Sequence, residues 1–162
     1  MFRVLGLDLS MSTPGFAVVE FTNGKPVLVH KSHVKTNAKN THGQRLVQTA
    51  DYLRNLIDVY GPFNAVAREK GFSAHANTTQ VLFKVVGVSD LELAREGYTR
   101  VADIAPTSVK KAVTGNGKAS KDEVADALEQ YVGKHLYGTS DESDAVAVAL
   151  AYGIQNKLME AL

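Results

Sequence analysis

Asn23-Gly24 stands between two strand-like runs, residues 15–22 and 26–32. An Asn-Gly pair in that position makes a two-residue hairpin turn, because both residues tolerate the positive φ angles the turn requires. Residues 2–9 have the same apolar texture, so the chain opens with three strands in antiparallel sequence. Thr41 can then cap a helix whose apolar face runs Leu46, Ala50, Leu53, Ile57 and Tyr60, with Gly61-Pro62 as its stop. Residues 63–69 read as a short buried strand. A further helix runs from the region of Asn77 through Val81, Leu82, Val85, Val86 and Leu93 to Gly97, and residues 98–104 form a fifth strand. The order βββαβαβ makes this an α/β chain.

Beyond the fifth strand the texture changes. Pro106 suits the first turn of a short helix, Gly115-Asn116-Gly117 interrupts it, and Ser120 with Glu123 forms a capping box ahead of Val124, Leu128 and Val132. Thr139 or Ser140 can cap a last helix on which Val146, Leu150, Ile154 and Leu158 recur every four residues. Val148 and Tyr152 widen that face, so the helix should be largely buried.

A length of 162 residues with 44% hydrophobic side chains suffices for one core, and residues 1–162 read as a single domain. The chain has no cysteine, which excludes disulfides, thiolate metal sites and cysteine nucleophiles. The N-terminal run is broken by Asp8 and lacks a signal peptide's apolar core, and no apolar run reaches membrane-span length. The expectation is a soluble, cytoplasmic protein.

The net charge of +1 conceals an uneven distribution. No acid occurs between Glu20 and Asp51, a stretch holding Lys25, Lys31, Lys35, Lys39, Arg45, His30, His33 and His42. From Ile104 to Lys121 the pattern recurs with Lys110, Lys111, Lys118 and Lys121. Such segments suit a polyanion, although either alone also reads as solvated surface.

Four carboxylates occupy places where a buried pattern meets a polar turn: Asp8, Glu69, Asp141 and Asp144. Carboxylates that converge repel one another unless a cation lies between them, and hard oxygen donors suit Mg²⁺, with Mn²⁺ as a substitute. Paired ions of this kind drive phosphodiester hydrolysis, so the residues point to a metal-dependent nuclease. Asp141 and Asp144 are spaced to share a helix face, and the field of the helix N-terminus should keep both ionised. Taken singly, Asp141 is an ordinary first-turn acid and Glu69 an ordinary strand-end charge.

Four segments of the chain resemble the RuvC-type Holliday junction resolvases of the RNase H-like superfamily. They are Gly6-Leu7-Asp8-Leu9-Ser10, Arg68-Glu69-Lys70-Gly71-Phe72, the stretch from Pro106 through Lys110-Lys111 and Gly115-Asn116-Gly117 to Lys121, and Asp141-Glu142-Ser143-Asp144-Ala145-Val146-Ala147-Val148. The resemblance implies a mixed five-stranded sheet flanked by helices, with Asp8, Glu69, Asp141 and Asp144 as catalytic metal ligands. It implies that branched DNA is cut by a two-metal reaction leaving a 5′ phosphate and a 3′ hydroxyl, in DNA recombination and repair. Lys110, Lys111, Lys118 and Lys121 map onto the family's lysine-bearing element, with phosphate binding as their first role and a catalytic role for Lys121 as the second. Phe72 falls where the family carries an aromatic wedge that meets bases, and it also reads as a core phenylalanine. Two motifs depart from the family pattern: Asp8-Leu9-Ser10 stands for Asp-Pro-Gly, and Lys70-Gly71 for Gln-Val. Both bear on substrate preference. His75, close to Glu69 in sequence, reads as an exposed loop residue, although imidazole can ligate metals or shuttle protons.

Two equivalent cuts across a junction require two active sites related by a two-fold axis, so a homodimer is expected. The apolar face of Val81, Leu82, Val85 and Val86 is its candidate interface, although a fully buried helix would carry the same face. Other readings are a related nuclease acting on forks, flaps or replication intermediates, an actin-like ATPase suggested by the loop from Asp8 to Thr13, and a non-catalytic junction-binding protein.

Overall fold

A computed structural model describes residues 1–71 and 75–162, so Phe72 lies outside the described residues. Strands β1 (Phe2–Asp8), β2 (Gly15–Thr22), β3 (Lys25–His33), β4 (Ala65–Glu69) and β5 (Ala102–Ile104) form one mixed sheet in the order β3-β2-β1-β4-β5. β1–β2 and β2–β3 are antiparallel, while β1–β4 and β4–β5 are parallel. The Asn23-Gly24 turn has φ angles of 52° and 76°, as the two-residue hairpin requires.

Helices α1 (His42–Tyr60) and α2 (Ala76–Arg95) cover one face, closing a core around Leu5, Leu7, Phe16, Leu53, Val85 and Leu93. Helix α5 (Ser140–Gln155) lies on the other face, with α3 (Pro106–Thr114) and α4 (Lys121–Val132) packed beside it. Thr41 and Ser120 both complete capping boxes, and Thr139 caps α5. α5 is buried continuously from Ala145 to Ala151. Its small residues let it approach the sheet closely: a β-carbon on Gly6 would fall 2.2 Å from the Ala145 carbonyl oxygen.

Several boundaries differ from expectation. β4 starts at Ala65, because Asn64 instead bonds the Arg3 backbone through both its own N–H and its side-chain oxygen, and Phe63 packs into the core. β5 is three residues long, and Tyr98 turns inward so that its hydroxyl accepts the Phe63 N–H at 2.9 Å. α5 ends before Leu158, where Lys157 takes a left-handed φ of 58° and the Leu158 N–H returns to the Gly153 carbonyl.

Two expectations need correction. Val85 is fully buried, and Val81, Leu82 and Val86 pack against the same core, so the face assigned to a dimer interface is the inward face of α2. Its outward apolar residues are Phe83 and Leu91, 59% and 52% exposed. The first acid-free segment is also partly consumed inside the molecule. Arg45 is buried and donates to Thr36, His30 stacks on Tyr60, and Lys31 and His33 bond Glu142. Lys35 and Lys39 remain exposed.

Candidate active site

Asp8 and Glu69 are the last residues of adjacent parallel strands, one step beyond the Leu7–Arg68 pair. Strand alternation points both toward α5: Gly6 touches that helix and Ala67 shares its core, whereas Leu7 belongs to the opposite core. Asp141 and Asp144 lie in the first turns of α5, whose N-terminus meets the strand ends from above. Carboxylate oxygens of Asp8, Glu69 and Asp144 all lie within 4.8 Å of one another. Asp141 stands beside them and is held by a hydrogen bond that its carboxylate accepts from the Thr13 hydroxyl. Its charge still acts on Asp8, Glu69 and Asp144.

The cluster stores electrostatic stress. Burial first, then the charges of Glu69 and Asp144, push Asp8 up to about 10. Burial and Asp144 raise Glu69 to about 7, against the lowering effect of Lys110. Asp144 is also raised, chiefly by burial, so the favourable field expected from the helix N-terminus is outweighed there. Partly buried carboxylates with converging oxygens and elevated proton affinity are the donor set a hard divalent cation neutralises, and they fit Mg²⁺ or Mn²⁺.

A cavity of about 340 Å³ opens beside the carboxylates between α3, α4 and α5. Glu69, Asp144, Lys110 and Lys121 line it together, with Tyr137 and Ser143 at its wall. Both lysines favour ionised Asp144. Lys111 and Lys118 are exposed outside the cavity, on α3 and on the α3–α4 connection. His75 is exposed at the N-cap of α2.

Sequence reasoning missed Thr13, Gly15 and Glu142. A β-carbon on Gly15 would fall 2.2 Å from the Asp141 carbonyl oxygen, so this glycine admits the first turn of α5. Glu142, 4% exposed, bonds His33, Lys31 and the Gly138 amide. Burial alone would raise its carboxyl, but those hydrogen bonds outweigh burial and hold it below its usual value. Its signal was its position between two site acids, one residue after Asp141 and two before Asp144, which turns it to a different helix face.

The fold and this carboxylate cluster define a class, the RNase H-like α/β proteins with an acidic site at the strand ends. The family model for the crossover junction endodeoxyribonuclease RuvC matches residues 4–152, and the chain belongs to that family. RuvC of Treponema denticola is 30% identical over 91% of this chain and 83% of its own length. RuvC of Chloroflexus aurantiacus is 32% identical over 93% and 92%. The structure of T. thermophilus RuvC in complex with a Holliday junction substrate superposes with a TM-score of 0.89 at 25% identity, covering 98% of this chain and 96% of that one. The fowlpox virus resolvase, at 15% identity and a TM-score of 0.58 over 92% and 97%, shares the fold. Among the described residues no helix is long and apolar enough to cross a membrane.

Proposed function

We propose that this protein resolves four-way DNA junctions by metal-assisted hydrolysis of phosphodiester bonds, with Asp8, Glu69, Asp141 and Asp144 as the acidic site. The convergence of Asp8, Glu69 and Asp144 within 4.8 Å, in a chain of the RuvC family, carries this reading. Asp8, Glu69 and Asp144 would hold Mg²⁺ or Mn²⁺, with Asp141 beside them. When bound, the ions supply an activated water and charge stabilisation at the leaving 3′ oxygen.

The chain's own groups do the rest. Thr13 orients the Asp141 carboxylate through its hydroxyl. Lys110 and Lys121, at the cavity wall beside Glu69 and Asp144, offer point charges to phosphate oxygens and draw the cleaved strand toward the carboxylates. Lys111 and Lys118 extend that positive surface along the α3–α4 connection. In-line attack by water leaves a 5′ phosphate and a 3′ hydroxyl.

Residues 1–162 act as one domain, since both cores are built on the two faces of a single sheet. Symmetric cutting of a four-way junction requires two copies. Phe83 and Leu91, two turns apart on the outer face of α2, are exposed apolar side chains that such a contact could cover. Incubation with end-labelled four-way junctions and matched linear duplex, with and without Mg²⁺, tests the reading. Paired nicks near the branch, dependent on Mg²⁺, are expected; equal cutting of linear duplex, or ATP hydrolysis in a parallel assay without cutting, would overturn it.

A further inference from the structure

Asp8, Gly15 and His33 stand side by side across three strands, because Asp8 pairs with Gly15 and Gly15 pairs with His33. Residues in one cross-strand row project to the same face. The missing side chain at Gly15 leaves a gap in this row, and the first turn of α5 fills it. On one side of the gap Asp144 meets Asp8 and Glu69. On the other, Glu142 meets His33. Its Oε2 bonds His33 Nδ1, while its Oε1 accepts from Lys31 Nζ at 3.3 Å and from the Gly138 N–H at 3.2 Å. The Lys31 ammonium also lies 5.3 Å from the centroid of Tyr137, a cavity residue.

Glu142 supplies no oxygen to the carboxylate cluster. Yet three donors from β3 and the α4–α5 connection converge on it, and a buried carboxylate so held resists displacement. Neighbouring positions on a helix point about 100° apart, so anchoring Glu142 on the β3 side fixes where Asp141 and Asp144 point on the other. We propose that Glu142, gripped by His33, Lys31 and the Gly138 amide, is a positioning residue that sets the rotation and height of the first turn of α5 and thereby delivers Asp141 and Asp144 to Asp8 and Glu69. The inference deepens the metal-dependent cleavage reading and rests on it. The spacing is tight enough to leave little slack: a β-carbon on Gly138 would fall 2.7 Å from Glu142 Oε2 and 2.9 Å from His33 Cε1.

The test compares Glu142→Ala, Glu142→Gln, His33→Ala and the double alanine variant with the unaltered protein, at a temperature where circular dichroism shows each one folded. Mn²⁺ affinity is read by calorimetry without DNA, and single-turnover cleavage is read separately from metal-free junction affinity. Glu142→Ala and His33→Ala should each weaken Mn²⁺ binding and slow the saturated cleavage step by about tenfold or more, as loss of groups that orient metal ligands does. Junction affinity should hold. Glu142→Gln keeps the length and one of the two acceptor oxygens, and should recover part of the loss. The double variant should be no worse than the poorer single one, since the two residues form one unit. Folded alanine variants with unaltered Mn²⁺ affinity and cleavage rate would overturn the proposal, as would multiplying effects in the double variant. If Glu142→Ala fails to fold, His33→Ala decides alone, because His33 is 30% exposed and its loss leaves no cavity in the core. Because Mn²⁺ binding is measured without DNA, absence of cleavage by the unaltered protein counts against the nuclease reading and not against the positioning role of Glu142.

Discussion

Arg68 and Glu69 are consecutive on β4, and their side chains leave opposite faces of the sheet. The Arg68 guanidinium is buried and paired, donating to Asp103 on β5 at 2.8 Å and to Asp90 on α2 at 2.6 Å. Glu69 faces Asp8 and Asp144 instead. One residue ties β4 to its neighbours with matched charges, and the next presents the same strand's excess negative charge to the site.

Asp8→Asn should therefore have opposite effects on activity and on stability. Removing one member of the repelling cluster takes away a carboxylate proposed to hold the metal, so Mg²⁺-dependent cleavage should vanish while junction binding is kept. The metal-free protein should gain on the order of 1 kcal/mol, seen as a higher Tm in EDTA. Retained cleavage would remove Asp8 from the site.

Glu69 predicts a pH dependence with a definite sign. Its carboxyl titrates near 4.5 when unperturbed and at about 7 in the folded chain. Between these values the unfolded chain releases the proton and the folded chain keeps it, so metal-free stability falls as pH rises. Below the window both states are protonated and the effect is absent; above it the loss is complete, on the order of 3 kcal/mol. Thermal melts in EDTA should show Glu69→Gln gaining on the unaltered protein from pH 4.5 to 7.5. Mn²⁺ should stabilise the unaltered protein more at the upper end, because binding displaces protons. A gap between the two proteins that stays constant with pH would contradict this.

Lys110 and Lys121 differ from Lys111 and Lys118 in what they face. Alanine at any of the four that contacts phosphate should reduce the slope of log affinity against log salt by about one unit. At Lys110 and Lys121 the saturated cleavage rate should fall as well, because these two line the cavity with Glu69 and Asp144. Gel-shift salt titrations beside single-turnover kinetics separate the two effects, and unchanged slopes at Lys110 and Lys121 would return both to ordinary surface lysines.

Val85→Asp and Leu91→Asp separate core from interface on one helix. A charge at fully buried Val85 should destabilise the monomer fold by about 3 kcal/mol or more. Leu91, half-exposed, should tolerate Asp in the melt, while sedimentation shows weaker self-association if α2 forms the two-fold contact. Full self-association in Leu91→Asp and Phe83→Asp would move the contact elsewhere.

The elements were legible where local chemistry decides them. Thr41 and Ser120 carry the oxygen that a helix start needs, and Asn23-Gly24 the φ angles that a tight turn needs. The ends of β4 and β5 were not, because Asn64 and Tyr98 are diverted by partners distant in sequence, Arg3 and Phe63. The site divides the same way. Asp8, Glu69 and Asp144 stood out as charges interrupting apolar patterns, whereas Thr13 and Glu142 matter through Asp141 and His33, contacts that no local pattern encodes. The inward apolar face of α2 looked like an interface for a related reason, since periodicity reports that a face is covered and not by what.

Because α5 lodges over Gly15, its seating during synthesis decides when the acidic site forms. Asp8 and Glu69 are translated well before Asp141 and Asp144, and the acidic site exists as a unit once the late helix has seated in its slot. A nascent or C-terminally nicked chain lacking α5 would present Asp8 and Glu69 on an unclosed sheet, without Asp144 to complete the cluster. Any activity that depends on the full carboxylate cluster would then appear in one step with tertiary closure.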